Sequence, residues 1–323
     1  MWKWIFMTSS RIRFEGARPG SPLISALGLV LLATSIAFSQ ASAADSQTSK
    51  TAMRESVAVV SEADGAGRRE SYLLFPRREL FKPLIADMRW PRFSAEYQWR
   101  FDTDQFSRVA AVSLGETFAL VRSPQHDWGE WELGFQAMVD AIFDMDSSSS
   151  DLSNEDYFVG LTGSVLRGGV TSQVRLYHFS SHLGDEYLIE NGLTRDGVSF
   201  EVIDLLASYE PYEWMRLYGG GGVLIDSSPT YDRVVTQFGV EMTSPVGFAS
   251  GLLRPIFGGD FQLRQENDWR PEAAVLAGLR LADPADDVRH LDFYARYYHG
   301  RSPDGQFFDQ TIDSFGLGAR LGF

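Results

Sequence analysis

The segment Thr171-Ser-Gln-Val-Arg-Leu-Tyr-His-Phe-Ser-Ser-His-Leu-Gly-Asp-Glu186 carries different chemistry on its two faces. Read with a period of two, Gln173, Arg175 and Tyr177 share one face, and Val174 and Leu176 share the other. A polar interior with an apolar exterior is the inverse of a soluble sheet. A sheet that turns its apolar side outward must close on itself and be surrounded by lipid, which predicts a transmembrane β-barrel.

The same two-residue period recurs along the chain. Residues 92–101 alternate aromatic or small residues with Arg, Ser, Glu and Gln, and residues 130–140 alternate in the same way. The segment 109–122 alternates less regularly, and Gly168-Gly169 predicts the tightest turn. We expect an all-β antiparallel barrel of about twelve strands, at about 92–101, 109–122, 130–140, 157–167, 171–180, 198–209, 214–225, 233–242, 256–266, 271–281, 289–299 and 312–323.

An even strand number places both ends of a bacterial barrel in the periplasm. The connections after odd strands are then extracellular, which predicts long outer loops at 144–156, 181–196 and 300–310. A soluble β-sandwich is the competing architecture. It leaves unexplained why so many strands carry polar residues on one whole face.

Bulk composition agrees with a barrel. The chain has 323 residues, is 44% hydrophobic and has a mean hydropathy of -0.16, which is too polar for a bundle of membrane helices. There are 0 Cys residues, which excludes disulfides and thiolate metal sites. The formal charge of -14 argues against nucleic acid as a partner.

The first 43 residues resemble a secretory signal peptide, with basic residues, an apolar run at 23–38 and a small-residue ending at Ala41-Ser-Ala43. An uncleaved anchor helix is the alternative. Residues 44–71 are polar and aperiodic, which predicts a flexible periplasmic lead. Residues 72–91 contain three prolines among apolar clusters, so we expect an ordered segment at the periplasmic mouth or inside the lumen, followed by the barrel at 92–323.

The chain ends on an apolar stripe that includes Phe315, Leu317 and the terminal Phe323. Such an ending resembles the signal that the outer-membrane barrel assembly machinery reads on its substrates. We therefore expect that machinery as a partner, in the outer membrane of a Gram-negative bacterium.

Candidate catalytic residues lie near the end of the fifth predicted strand. His178 and Ser180 share its outward face, and a histidine beside a serine can activate it as a nucleophile when a third group orients the imidazole. Glu201 on the next strand is the first candidate for that group. Because Glu201 and Asp204 fall on opposite faces, the phase of this strand is open. Residues of the intervening loop are the other candidates: Asp185, Glu186 and Asn191.

A metal site is a second interpretation of the same region. If the strand continued, His178 and His182 would lie roughly 13 Å apart, too far to share an ion, so only a turn at Ser181 would join them. The loop carboxylates Asp185 and Glu186 are candidate calcium ligands, and calcium is the cofactor we consider.

His178-Phe-Ser180 resembles the His-x-Ser motif of outer-membrane phospholipase A and of the lipid A deacylases. The first of these families implies twelve strands and a calcium requirement, with outer-membrane lipid as substrate. A wider resemblance, to the domain of unknown function 1207 family of bacterial outer-membrane proteins, implies a barrel and no agreed activity. It rests on Leu74-Phe-Pro, Pro83-Leu-Ile-Ala-Asp87, Pro91-Arg-Phe-Ser94, Tyr177-His-Phe-Ser-Ser-His-Leu-Gly-Asp-Glu186 and Arg216-Leu-Tyr-Gly-Gly-Gly-Gly222.

The sequence thus predicts an integral outer-membrane barrel whose activity is unassigned. Two more specific functions stay open: a calcium-assisted, serine-type lipid acyl hydrolase of the outer leaflet, and a narrow pore or small-molecule conduit. A third interpretation is that the His, Ser and Tyr residues only bind lipid head groups and water at the membrane surface. The oligomeric state is not predicted.

Overall fold

The computed structural model of the chain describes residues 59–63, 69–101, 106–192 and 197–323. These residues contain one helix of more than one turn, α1, at Asp185–Asn191. Their strands are β1 Val59–Ala63, β2 Arg69–Leu74, β3 Phe93–Phe101, β4 Arg108–Arg122, β5 Glu130–Asp144, β6 Asp151–Arg167, β7 Val170–Leu183, β8 Val198–Tyr212, β9 Met215–Ser228, β10 Val234–Thr243, β11 Leu253–Arg264, β12 Pro271–Asp283, β13 Asp286–Arg301 and β14 Thr311–Gly322.

Strands β3 to β14 form a closed antiparallel barrel. Each pairs with its neighbour in sequence, and the barrel closes because β14 also pairs with β3, with Leu317 opposite Tyr97. The predicted twelve-stranded barrel is therefore confirmed. We call the end at which β3 begins and β14 ends the proximal end, and the opposite end the distal end.

The structure corrects one loop expected from the sequence and explains the irregular alternation of one strand. The loop predicted at 144–156 is shorter, because β6 begins at Asp151 and pairs with β5 from that residue onward. The irregular alternation at 109–122 has a physical cause: Leu120 is an extra residue in β4, between the pairs Ala119–Gly134 and Val121–Leu133. Such a β-bulge shifts the alternation by one residue.

The outer surface is apolar and the lumen is polar. Leu161, Leu176 and Leu133 are among the exposed residues of the outer face, whereas Gln136 and Asp292 are completely buried inside. Cross-strand ion pairs fill much of the lumen, where they satisfy charges that water cannot reach. They include Arg175–Asp204, Arg216–Glu241, Arg280–Asp292 and Arg296–Glu96. Arg100 of β3 pairs instead with Asp304, which follows β13.

Residues 75–92, which we call the inner segment, run through the lumen before β3. Phe81 and Trp90 stack at 5.7 Å and pack against Leu206 and Tyr218 of the barrel wall. Farther along, Ala86 packs beside Leu276 and Ile256. Met88 lies in a third apolar cluster, with Ala274, Tyr298 and Ile312.

Polar contacts also hold the inner segment. Arg216 donates to the backbone carbonyls of Lys82 and Pro83, each at 2.7 Å, and Glu241 accepts from the Ile85 amide at 2.6 Å. Arg320 of β14 donates to the Ile85 carbonyl at 2.9 Å. A proline-rich segment cannot form its own ladder of hydrogen bonds, so lumen side chains satisfy its backbone instead.

Before the inner segment, β1 and β2 form a hairpin, and β2 pairs with the proximal end of β4. The flexible lead predicted at 44–71 therefore includes strands in its second half. The signal peptide predicted at 1–43 lies outside the described residues. Within the described part of the chain, no helix is long and apolar enough to cross a membrane.

At the distal end, the β13–β14 loop at 302–310 folds into the barrel mouth. Asp304 of this loop accepts from Arg100 at 2.8 Å, and the Gly305 amide donates to Asp156 of β6 at 3.0 Å. Phe307 packs against Phe106. The distal mouth is therefore narrowed by a loop that the barrel wall holds in place.

Candidate functional site

Antiparallel pairing of β7 with β8 brings His178 directly opposite Glu201. The His178 Nδ1 atom lies 2.8 Å from Glu201 Oε1, so the ring can donate its Nδ1 proton to the carboxylate. Both side chains are on the outer face of the barrel and are 43% and 41% exposed. The question of phase left open by the sequence is answered: Glu201 points outward, next to the histidine.

The phase of β8 was ambiguous because its inward face is also largely apolar. Val198, Val202 and Leu206 point into the lumen, where Val202 and Leu206 are each 1% exposed. Asp204 also points inward and binds Arg175. Alternation of polar and apolar residues therefore could not identify the outward face of this strand.

The His178–Glu201 pair lies where the outer surface changes from apolar to polar side chains. Toward the proximal end, the same face presents Leu176 and Ile203, which are 48% and 45% exposed. Toward the distal end it presents Ser180 and Ser199, which are opposite each other, and His182. A change from apolar to polar side chains on a barrel exterior marks the boundary between the hydrocarbon layer and the head groups.

Ser180 is half-buried and lies two residues beyond His178 on the same face. The structure contains no hydrogen bond between these two described side chains. Residues i and i+2 of a strand are about 7 Å apart at the backbone, so a rotation of either side chain sets the distance between Ser180 Oγ and His178 Nε2. In enzymes without substrate, such contacts are often long and shorten when substrate binds.

The other predicted residues lie beyond the end of β7. Asp185 and Glu186 occupy the first turn of α1, where both are exposed, and Asn191 ends the helix, donating to the Tyr187 carbonyl at 2.9 Å. Carboxylates in a first helical turn interact favourably with the helix dipole. Among the residues that the structure describes, no group of three or more His, Asp or Glu is arranged to hold a metal ion.

The turn that would have joined His178 to His182 does not occur. Strand β7 continues through Leu183, so the outer loop starts later than the predicted 181. His182 instead packs against Tyr157, with ring centroids 5.9 Å apart. A transition-metal site built from the two histidines is therefore excluded by the length of the strand.

Sequence reasoning missed a second pair of the same kind. His299 Nδ1 lies 2.8 Å from Asp313 Oδ1, across β13 and β14, and His299 is also exposed on the outer face. The residue two positions beyond His299 is Arg301, not a serine. Only the register of the two strands reveals this pair, and it provides a natural control for the site at His178.

A carboxylate bound to Nδ1 keeps the proton on that nitrogen and leaves Nε2 free to accept another. It also stabilises the imidazolium that forms when Nε2 takes up a proton. A serine within reach of Nε2 would then be activated for attack on an ester. The Glu201–His178 pair has the geometry that the orienting half of such a catalytic site requires.

The structure is similar to solved outer-membrane barrels. Outer membrane phospholipase A from Escherichia coli is 12% identical, with a TM-score of 0.47 over 76% of this chain and 95% of that chain. The Salmonella typhi outer membrane phospholipase dimer with bound calcium is 14% identical, with a TM-score of 0.49 over 72% and 91%. The β domain of the Bordetella autotransporter BrkA is 14% identical, with a TM-score of 0.39 over 72% and 98%.

At these identities the likeness concerns the barrel fold. No curated protein matches the sequence. The model of one family, described as protein of unknown function DUF1207, matches residues 22–323. This match agrees with the motifs noted in the sequence, and the chain, an outer-membrane-type β-barrel, belongs to the DUF1207 family.

Proposed function

We propose that this protein is a serine-type lipid acyl hydrolase of the bacterial outer membrane, with Ser180 as nucleophile, His178 as general base and Glu201 as the orienting carboxylate. The observation that carries the proposal is the 2.8 Å contact between His178 and Glu201 on the outer face, with a serine two residues away. Its substrates are the membrane lipids around the barrel.

The position of the pair supports lipid esters as the substrate class. The ester bonds of a membrane lipid lie between its acyl chains and its head group. His178 lies at the corresponding boundary on the protein, with Leu176 on the hydrocarbon side and Ser180 on the polar side. The nucleophile therefore meets an ester of a lipid that stays in the membrane.

The reaction would proceed in two steps. Ser180 Oγ attacks the ester carbonyl carbon while His178 Nε2 accepts the hydroxyl proton. The tetrahedral intermediate then expels the lipid alkoxide, which takes that proton from His178, and leaves an acyl-serine. Water, deprotonated by His178, hydrolyses the acyl-serine to a fatty acid and restores Ser180.

Acyl release tests the proposal. The purified protein is refolded in detergent, and fatty acid release from phospholipid and from lipid A is measured with and without calcium. We expect release by the unsubstituted protein and a loss of about 10³-fold or more in Ser180→Ala and His178→Ala. His299→Ala removes a matched outward histidine and should retain full activity.

Retention of activity in Ser180→Ala would overturn the assignment of the nucleophile. An absence of release from correctly folded protein, with either lipid and with calcium, would mean that His178, Ser180 and Glu201 only bind head groups and water. Dependence on calcium would favour Asp185 and Glu186 as its ligands, and Asp185→Asn with Glu186→Gln should then raise the calcium concentration needed for half-maximal activity.

We also propose that the protein is located in the outer membrane and is inserted there by the outer-membrane assembly machinery. The terminal Phe323 packs edge-on against Phe93 at 5.5 Å and is 49% exposed. This partly exposed aromatic ring is available to the outer-membrane assembly machinery, which we take as the partner that inserts the barrel. Deletion of Phe323 should lower the amount of protein in isolated outer membranes, without preventing refolding in detergent.

A further inference from the structure

The distal half of the lumen contains a cavity of about 190 Å³. Its floor is formed by the inner segment, at Asp87 and Arg89, and the β13–β14 loop contributes Gly305 and Phe308 near the mouth. Strands β6 to β11 supply its walls. The cavity is thus separated by the barrel wall from the outward site at His178.

One wall of this cavity is apolar, and the inner segment does not cover it as it covers the apolar clusters deeper in the lumen. Phe158, Phe179 and Phe200 are adjacent across three neighbouring strands, and the last two stack with centroids 4.6 Å apart. Val202 extends this surface toward the floor. An apolar wall inside a barrel lumen is expensive if only water contacts it, which points to an apolar ligand.

The opposite side of the cavity carries arginines without a carboxylate partner. Arg89 donates to the backbone carbonyls of Pro303 and Ser302, and Arg301 donates to the Asn267 side chain at 3.1 Å. Neither forms an ion pair with any residue that the structure describes. Arg175 and Arg264 also line the cavity, but these two are paired with Asp204 and Glu272.

The surroundings of Arg89 disfavour its positive charge. Burial lowers the pKa of Arg89, and the neighbouring positive charge of Arg264 lowers this pKa further, against the opposing effects of the Glu272 and Asp156 carboxylates. An anion at this position would relieve both effects. Asp87 of the floor accepts from the Gln237 side chain at 3.0 Å and from the Arg89 backbone amide at 2.9 Å. Three further carboxylates, Asp232, Glu266 and Asp309, belong to the distal loops that also line the cavity, and they would repel an anion held at the rim.

We infer that this cavity binds a single-chain amphiphile with an anionic head group, its chain against the Phe158–Phe179–Phe200 wall and its head group at Arg89 and Arg301. A carboxylate or a phosphate head fits equally, because guanidinium groups bind both. The inference goes beyond the proposed hydrolase and does not depend on it, since the cavity and the outward site share no side chain.

Native mass spectrometry of the full protein, released from a neutral detergent, tests this inference. The probes are dodecanoate and dodecyl phosphate, compared with dodecyltrimethylammonium, dodecanol and inorganic phosphate. We expect one bound molecule of each anionic amphiphile and none of the other three. In the double variant Arg89→Gln, Arg301→Gln, occupancy should fall at least tenfold.

Arg167→Gln is the matched control, because Arg167 is exposed at the proximal β6–β7 turn and its loss changes the charge in the same direction. Unchanged occupancy in the double variant would overturn the inference. So would equal binding of the cationic amphiphile, which would assign the site to the loop carboxylates, or equal binding of inorganic phosphate, which would show that the apolar wall plays no part.

A second measurement does not require the variants to fold. Dodecanoate carrying a photoreactive group at its chain end is bound to the unsubstituted protein and cross-linked. We expect modified peptides from the inward residues Phe158, Phe179 or Phe200. Modification confined to outward residues such as Leu176 and Ile203 would show that the amphiphile binds only the lipid-facing surface, and would overturn the inference.

Discussion

The role that we propose for Glu201 depends on charge as well as shape. As a carboxylate it accepts the His178 Nδ1 proton and stabilises a positive charge on the ring. A glutamine at the same place keeps the size and a hydrogen bond, but it can donate to Nδ1 and so favour the wrong tautomer. Comparing glutamate with glutamine at position 201 therefore distinguishes a catalytic role of the carboxylate from a role in packing alone.

We predict that Glu201→Gln lowers kcat for acyl release by about 10²- to 10⁴-fold, with a smaller change in KM. Asp313→Asn makes the same change beside His299 and should leave both constants unaltered. The measurement is steady-state hydrolysis by refolded protein, with folding checked by circular dichroism. Full activity in Glu201→Gln would mean that the carboxylate does not orient the base.

Sequence reasoning reached His178 and Ser180 because the period of β7 fixes their face. It could not fix Glu201, because the inward face of β8 is apolar where it lines the cavity. The sequence pattern also could not show that Arg89 and Arg301 line the same cavity. Arg89 comes from the inner segment and Arg301 from the end of β13, and no local pattern relates them.

At the scale of the elements, the inner segment passes close to the wall at Gly258 of β11. A Cβ atom on Gly258 would lie 2.8 Å from Ile85 Cγ1 and 3.1 Å from the Ala86 Cβ atom. The wall needs a glycine at this point because the inner segment occupies the space of a side chain.

Gly258→Val should therefore loosen the inner segment, at a cost of about 1–3 kcal/mol from overpacking. We expect faster tryptic cleavage after Arg89, while the barrel stays folded. The control is Gly163→Val on the outer face, where a Cβ atom would meet only Leu133 Cδ2, at 3.7 Å. Equal cleavage rates in the two variants would contradict the close packing at Gly258.

We expect Glu79 to make the docking of the inner segment dependent on pH. Burial raises the pKa of Glu79 from 4.5 to about 7, and the nearby charges of Glu116 and Glu132 raise this pKa further, against the opposing effect of Arg122. The folded state therefore binds this proton more tightly than the unfolded chain. Its contribution to stability is full below pH 4.5 and is lost as the pH rises toward 7.

Glu79→Gln should remove this dependence. We expect the free energy of unfolding of the unsubstituted protein, relative to Glu79→Gln, to decrease between pH 4.5 and pH 7 and to change little above that range. Denaturant titrations at several pH values measure the difference, which cancels the other titrating groups of the lumen. A difference that is constant with pH would show that Glu79 stays ionised in the folded protein.

The barrel itself could be predicted because it imposes a strict period on every strand, and the number of strands follows from counting the periodic segments. The path of the inner segment through the lumen could not be predicted from the sequence. Its position depends on Arg216 and Arg320 binding the carbonyls of Lys82, Pro83 and Ile85, and backbone acceptors have no signature in the sequence.

For the whole molecule, the inner segment and the ion pairs of the wall occupy the lumen along most of its length. The wall charges are paired across strands, as Arg175–Asp204 and Arg280–Asp292 are, so they present little net field to a passing ion. The distal cavity is closed below by the inner segment. These features do not favour a pore.

We predict negligible conductance. In planar bilayers the full protein should give no steady single-channel current, whereas a variant lacking residues 75–91 should give one, because its lumen loses the inner segment. Protection of the barrel from protease verifies that the variant is inserted. Steady currents from the unsubstituted protein would contradict the packing of the lumen and would support a conduit.

The two proposed sites lie on opposite faces of the same two strands. The outer face of β7 and β8 presents His178 and Glu201 to lipid, and the inner face of the same strands presents Phe179 and Phe200 to the distal cavity. Alternate residues of a strand point to opposite faces. A substitution in the outward site should therefore leave amphiphile binding unchanged, and a substitution in the cavity should leave acyl release unchanged.

Covalent labelling of Ser180 is the most direct test of an activated serine on the outer face of β7. The refolded protein is treated with a long-chain fluorophosphonate, which modifies serines activated by a general base, and the adduct is located by peptide mass spectrometry. We predict one adduct, on Ser180, whose formation is abolished in His178→Ala and unchanged in His299→Ala. An absence of an adduct on Ser180, or an equal rate of labelling in His178→Ala, would contradict the assignment of Ser180 as nucleophile and His178 as its base.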